Sequence, residues 1–339
     1  MQMNDIHILK EALSSPKKIV IIPHKNPDGD AIGSTLGLYH YLRAYSHEVK
    51  VISPNDYPEF LKWMPGDDSI LKYDYQTNES LKYIQGADFI FTLDFNTLDR
   101  VGPMETALTG LEATFVMIDH HQQPSGYAKF MYSDTDMSST CEMVYHFINQ
   151  LDDLNSITPQ IANCLYAGIM TDSGSFRYAT TTSTTHRVVA DLIDRGARNT
   201  EIHNAIYDSS SLSRLHLLGC ALSNLVMMEA LNTVYITLSR HELETYNYKK
   251  GDTEGIVNYG LSLKGVVFSV IFIENTQEDY IKISLRSKGE FDVNEFARKH
   301  FDGGGHINAA GGRSDLSMED TVKRFKETVK SYKQKLTVA

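Results

Sequence analysis

Aspartate and histidine residues recur along this chain where apolar runs end. His24, Asp28 and Asp30 fall within HKNPDGD, directly after the β-rich run KIVIIP. Asp94 follows FIFTL, the triplet Asp119-His120-His121 follows FVMI, and Asp172 follows the helical pattern YAGIMT. Near the far end, His306 stands inside the run GGGHINAAGG. Carboxylate oxygens and imidazole nitrogens are ligands for divalent cations. A helix cap accounts for one aspartate before a helix, but not for an imidazole and two carboxylates so close together. Asp94 alone reads as a turn residue, and Asp172 in TDSG as ordinary turn chemistry. As a set, one metal-competent residue at each strand or helix end, they predict a two-metal hydrolase.

Such ligands need a scaffold, and the first half of the chain supplies its pattern. Strand signals at 18–23, 49–53, 87–93 and 114–118 alternate with helical periodicity at 31–45, 138–151 and 158–170. This rhythm predicts an α/β fold with a mostly parallel sheet flanked by helices, whose ligands gather at the carboxyl edge of the strands. The threonine-rich run 179–186 reads as a loop capping a helix that ends at Gly196. One long helix over 211–229, without strand signals, is expected to act as a connector. From Thr233 the pattern turns to short alternating strands (VYITLS, VVFSVIFIE, DYIKISLRS), with helices around the glycine run and at 317–335. That pattern predicts a smaller α+β domain. The expected domains are residues 1–195 (metal-binding and catalytic), 196–230 (helical connector) and 231–339 (substrate-binding).

With 339 residues, 42% of them hydrophobic, the chain can bury a core large enough for two domains. A formal net charge of −11 argues against coating duplex DNA by charge alone. A nucleotide substrate stays open, because bound cations reverse the local field. Cys141, Cys164 and Cys220 lack metal-ligand spacing and are expected to be inert thiols. No apolar stretch is long enough to span a bilayer, and the N-terminal amphipathic segment lacks the core of a secretory signal, so no membrane partner and a cytoplasmic location are expected. In the glycine run, backbone amides can approach an anion closely, and small alanines would let a helix begin tightly behind it. Arg286, on the strand before it, offers a two-pronged fork to a phosphate. Asn258 and Tyr259 either help line a cleft or form a packing turn.

In this order, HKNPDGDAIGS, Asp94, the Asp-His-His triplet and TDSG resemble the four motifs of the DHH phosphoesterase superfamily. ISLRS with GGGHINAAGG resembles the DHH-associated C-terminal domain, and the two together cover essentially the whole chain. The two-domain length is most similar to NrnA-type nanoRNases, which also act as phosphatases on adenosine 3′,5′-bisphosphate (pAp). The resemblance implies one metal site from His24, Asp28 and Asp94, and a second from Asp30, Asp94, His120 and Asp172, with Asp94 bridging. Two Mn²⁺ ions suit this mixture of oxygen and nitrogen, and Mg²⁺ remains an alternative. A hydroxide shared between the cations would attack a phosphate ester in line. Asp119 would orient His120 or a neighbouring backbone group, and His121 would face the phosphoryl group or the leaving oxygen. Arg286, Gly303, Gly304, Gly305 and His306 would grip the nucleotide across an interdomain cleft. Expected substrates are short oligoribonucleotides, cut to nucleoside monophosphates, and pAp. Cyclic di-AMP or pApA is the alternative, and an inactive nucleotide-binding module is the non-enzymatic one. The resemblance also suggests a homodimer.

Overall fold

The computed structural model describes residues 5–275 and 279–337. The chain divides into two units between Ser209 and Ser210. The first is built on six strands: β1 (Lys18–Pro23), β2 (Glu48–Ser53), β3 (Leu71–Lys72), β4 (Phe89–Leu93), β5 (Thr114–Asp119) and β6 (Phe130–Ser133). They lie in the order β3-β2-β1-β4-β5-β6, and every neighbouring pair is parallel. Helices α1 (Ile6–Ala12), α2 (Gly29–Arg43), α3 (Thr77–Gln85), α4 (Glu105–Leu108), α5 (Thr140–Gln150), α6 (Pro159–Asp172), α7 (Ser183–Asp194) and α8 (Asn199–Tyr207) complete it.

The strands read as unbroken apolar runs because both faces are covered. Ile19 and Ile21 of β1 pack with Ile32 and Leu36 of α2, Phe147 of α5 and Leu165 of α6. Val20 and Ile22, on the other face, pack with Ile84 of α3 and Leu108 of α4. The chain winds outward from β1 to β3 and then returns to β4 on the other side of β1. That reversal opens a crevice at the carboxyl ends of β1 and β4, where ligands bind in such sheets.

Helix α2 starts at Gly29, two residues before the expected position. Asp28 is its cap, with extended backbone and Oδ1 accepting the amides of Asp30 and Ala31, each at 3.1 Å. Behind it α2 lies hard against α6. A Cβ on Gly168 would fall 2.1 Å from Cys141 Sγ and 2.9 Å from Asp30 Oδ1, so only glycine lets α6 run this close to the carboxylate.

The segment 196–230, expected as a connector, is shared between the units. Helix α8 buries Ile202 and Ile206 in the first core, whereas α9 (Leu212–Ser223) buries Leu217 and Ala221 in the second unit. The long helix expected over 211–229 stops at Ser223, and β7 (Val226–Met228) follows. Its short apolar run pairs antiparallel with β8 (Thr233–Leu238), a pairing that overrides helix periodicity over so few residues.

The second unit holds a six-stranded sheet in the order β11-β12-β10-β9-β8-β7, adding β9 (Phe268–Glu274), β10 (Ile281–Ser287), β11 (Gly304–Gly305) and β12 (Ala309–Ser314). Only the β8–β9 pair is parallel. Helices α10 (Arg240–Thr245), α11 (Ile256–Leu261), α12 (Val293–His300), α13 (Met318–Val329) and α14 (Lys333–Thr337) complete it. Phe268, Phe272, Phe296 and Phe325 form the aromatic centre of one face, and α9, α10 and α11 cover the other. No helix begins behind the glycine run. Residues 304–314 instead form a hairpin, β11 against β12. A Cβ on Gly303 would meet Gly311 O at 2.0 Å, and Gly305 has φ 149° with Ala309 O 2.4 Å from any Cβ. The glycines are there because two backbones touch.

Candidate metal centre

Each polar residue expected at a strand end is at that edge of the first unit. His24 leaves β1 and Asp94 leaves β4, the two strands flanking the reversal; Asp119 ends β5, and His120 and His121 follow it. Asp30 lies in the first turn of α2, and Asp172 is the last residue of α6. Ligand atoms of His24, Asp28 and Asp94 lie within 4.8 Å of one another, as do those of Asp30, His120 and Asp172. Asp94 joins the two groups. Its Oδ2 is 3.4 Å from His24 Nε2, and its Oδ1 is 3.5 Å from His120 Nε2. It does so from left-handed backbone, φ 67°, a conformation aspartate tolerates better than most residues. His120 Nε2 also faces Asp172 Oδ2 at 3.5 Å and Asp30 Oδ2 at 3.8 Å.

The electrostatics of the cluster show what it asks for. Asp30 and Asp94 are 1% and 2% exposed, and Asp172 lies beside them. Burial, with the charges of Asp94 and Asp172, pushes the Asp30 carboxyl well above the usual carboxylate range. Burial likewise pushes Asp172 up to about 6, against the opposing pull of His120. Burial acts on Asp94 in the same sense, but hydrogen bonds from His120 and His24 outweigh it and hold its carboxyl well below the ordinary value. Burial lowers the His24 and His120 imidazoles, yet their carboxylate neighbours raise both, His120 strongly. Closely packed carboxylates thus draw positive charge into the pocket.

The histidine tautomers point the same way. His24 Nδ1 lies 2.9 Å from Lys25 O, and His120 Nδ1 lies 3.2 Å from Met137 O. A carbonyl only accepts, so each Nδ1 carries a hydrogen and each Nε2 faces a carboxylate, donating to it when protonated and offering a lone pair when neutral. Two acceptors face each other stably only with a proton or a cation between them. Imidazoles held by a backbone carbonyl and aimed with carboxylates at a common point are a fitting ligand set for divalent cations.

His121 is arranged differently. Its Nδ1 is 2.7 Å from Asp119 Oδ1, and Asp119 is fully buried. Asp119 was expected to orient His120 or a backbone group; it orients His121 instead, and Met137 O takes the role at His120. The sequence reading missed Thr140. Its amide donates to Asp30 Oδ2 at 2.6 Å, and its hydroxyl donates to Asp94 Oδ1 at 2.9 Å. The pattern Ser139-x-x-Glu142 marks a helix start, which could have placed Thr140 in a first turn but not against these carboxylates.

In the second unit, Arg286 sits on β10 in register with Ala309 of β12, the strand leaving the glycine turn. Its Nη1 donates to Leu285 O at 2.9 Å. Of the 303–305 amides, that of Gly305 donates to Asn294 Oδ1 at 3.0 Å, and next to it His306 N donates to Ala309 O at 2.7 Å. Gly303 precedes β11, and Gly304 pairs with Gly311. Asn258 and Tyr259 are on α11, where Tyr259 is exposed and Asn258 Oδ1 is buried. Among the described residues, no helix is long and apolar enough to cross a membrane.

Comparison with known proteins gives a consistent set of relatives. Residues 18–169 match the model of the DHH family, N-terminal domain, and residues 232–335 match that of the DHHA1 domain. The chain is 30% identical to the bifunctional oligoribonuclease and PAP phosphatase NrnA of Thermus thermophilus, covering 92% of this chain and 89% of that one. It is 28% identical to the Bacillus subtilis protein of the same name, over 86% of this chain and 88% of the relative. Among solved structures, an exopolyphosphatase-related protein from Bacteroides fragilis is 40% identical, with a TM-score of 0.93 over 98% of this chain and 97% of that one.

Proposed function

From a chain that belongs to the DHH family, we propose a divalent-metal-dependent phosphoesterase that hydrolyses short oligoribonucleotides to nucleoside monophosphates and removes the 3′-phosphate of pAp. The observation that carries this reading is the convergence of Asp28, Asp30, Asp94, Asp172, His24 and His120 on one crevice edge, with both Nε2 atoms turned inward. The activities named for the Thermus thermophilus and Bacillus subtilis relatives supply the substrate class.

His24, Asp28 and Asp94 would hold one cation; Asp30, Asp94, His120 and Asp172 would hold the second. Two imidazoles among carboxylates favour Mn²⁺ over Mg²⁺. When bound there, such cations would supply an acidified water and charge neutralisation for a transferring phosphoryl group. His121, with its Nδ1 hydrogen held by Asp119, would serve the leaving oxygen as a proton donor through Nε2 in its doubly protonated form. Arg286 and His306 are the candidates for binding substrate phosphate.

The test is a side-by-side assay, with Mn²⁺, of a diribonucleotide, pAp, cyclic di-AMP, pApA and pyrophosphate. Hydrolysis of the first two above the others is expected. Preference for cyclic di-AMP or pApA would move the function to signalling-nucleotide turnover, and inertness toward all five would refute the phosphoesterase reading.

A further inference from the structure

We propose that Thr140 is a positioning residue for the metal centre, and that the turn Met137–Cys141 holds three of its ligands in register; this rests on the metal-centre reading above. Those ligands come from three separate elements: Asp30 from α2, Asp94 from the end of β4, and His120 from the exit of β5. All three are tied to this one segment. Met137 O fixes His120 Nδ1 at 3.2 Å. The Thr140 and Cys141 amides, at the start of α5, donate to Asp30 Oδ2 and Oδ1 at 2.6 and 2.8 Å, so the Asp30 carboxylate is gripped at both oxygens. The Thr140 hydroxyl donates to Asp94 Oδ1 at 2.9 Å.

That last contact has a consequence for a bridging carboxylate. Asp94 must turn one oxygen toward His120 and the other toward His24, and its left-handed backbone does not by itself fix the side-chain rotation. A hydroxyl facing a carboxylate can only donate, so Thr140 selects the rotation in which Oδ1 lies on the His120 side. The turn is itself locked. Ser138 Oγ and Thr185 Oγ1 both donate to Glu142 Oε2, at 2.5 and 3.0 Å, and Ser139 Oγ accepts the Glu142 amide at 3.1 Å. Ser138, Ser139, Thr140 and Glu142 are all buried. Long-range contacts of 46 residues (Thr140 to Asp94) and 110 residues (Thr140 to Asp30) thus meet in one rigid turn.

The variant Thr140→Val keeps the side-chain shape and both amides but removes the hydroxyl. Thr140→Ser keeps the hydroxyl. Isothermal titration of Mn²⁺ into the chelator-treated full chain should show Thr140→Val weakened about 10–100-fold, the range for loss of a residue that orients a ligand. Thr140→Ser should stay close to the parent. In hydrolysis of a diribonucleotide, kcat should fall in Thr140→Val with KM little changed, because the substrate contacts remain. Parent-like Mn²⁺ affinity in Thr140→Val, or Thr140→Ser as weak as Thr140→Val, would overturn the proposal. If Thr140→Val does not fold, Thr140→Ala takes its place in the same comparison. A parent protein that binds no Mn²⁺ would overturn the metal centre and the positioning role together, whereas tight binding in both parent and Thr140→Val would overturn the positioning role alone.

Discussion

Chelator-treated protein should lose stability as pH rises through the range where the same protein loaded with Mn²⁺ does not. Asp172, with its carboxyl pushed up to about 6 by burial, binds its proton more tightly folded than unfolded. Its contribution therefore favours the folded state below the ordinary aspartate range, near pH 4, and is lost as pH rises to about 6. Asp30, raised well above the ordinary carboxylate range, acts in the same direction. His24 and His120 are raised too, so the stability they lend is complete below about pH 6.5 and disappears as pH passes their folded values. Asp94, held low, has the opposite sign, but its contribution is intact above about pH 4 and stays constant across this window. Within the metal cluster, every group that titrates between pH 5 and pH 8.5 thus weakens the cation-free fold, whereas His40, His47 and His300, lowered by burial, act in the opposite sense.

For Asp172 alone the displacement corresponds to about 3 kcal/mol. In a unit ending at Ser209, that is on the order of 6–12 °C in Tm. Cations compete with these same protons, so Mn²⁺ should bind more tightly as pH rises. At a thousandfold excess over Kd it should restore about 4 kcal/mol. Differential scanning calorimetry at pH 5, 6, 7 and 8.5, with chelator and with Mn²⁺, reads both curves. A chelator-treated Tm that is flat or climbing over this range, or an Mn²⁺-induced increment that does not grow with pH, would refute the reasoning.

Asp94→Asn should abolish Mn²⁺-dependent hydrolysis of a diribonucleotide while circular dichroism shows the parent fold, because it leaves the side-chain shape and removes only the charge shared by both sites; retained turnover in a contaminant-free preparation would contradict it. His121→Gln should lower kcat by about 10²–10⁴ as a lost proton donor, with Mn²⁺ affinity near that of the parent by calorimetry. Gly303→Ala should unfold or strongly destabilise the second unit, seen as a lowered melting transition, because the added carbon falls 2.0 Å from Gly311 O; a parent-like Tm would show that the hairpin can open without cost.

The legible parts of this protein are those where sequence neighbours are also the chemical neighbours. A parallel strand covered on both faces must be a continuous apolar run, and it must end where the chain meets water. His24, Asp94 and Asp119-His120-His121 could therefore be placed at one sheet edge from their position in the chain, and Asp30 could be read as preceding a helix, although the cap is Asp28. The helix expected behind the glycine run does not form: glycine reports only that a Cβ is excluded, not by what. In GGGHINAAGG the excluding atom is the carbonyl of a paired strand, so a hairpin stands where a helix behind the turn was expected. The same limit hid Thr140: a buried threonine in the first turn of a helix is ordinary in sequence. Its significance comes from contacts with Asp30 and Asp94, beside the place where glycine at 168 leaves room for Asp30 and Cys141. The ligands are written locally in the chain, whereas the atoms that hold them to a single geometry are determined by packing between elements.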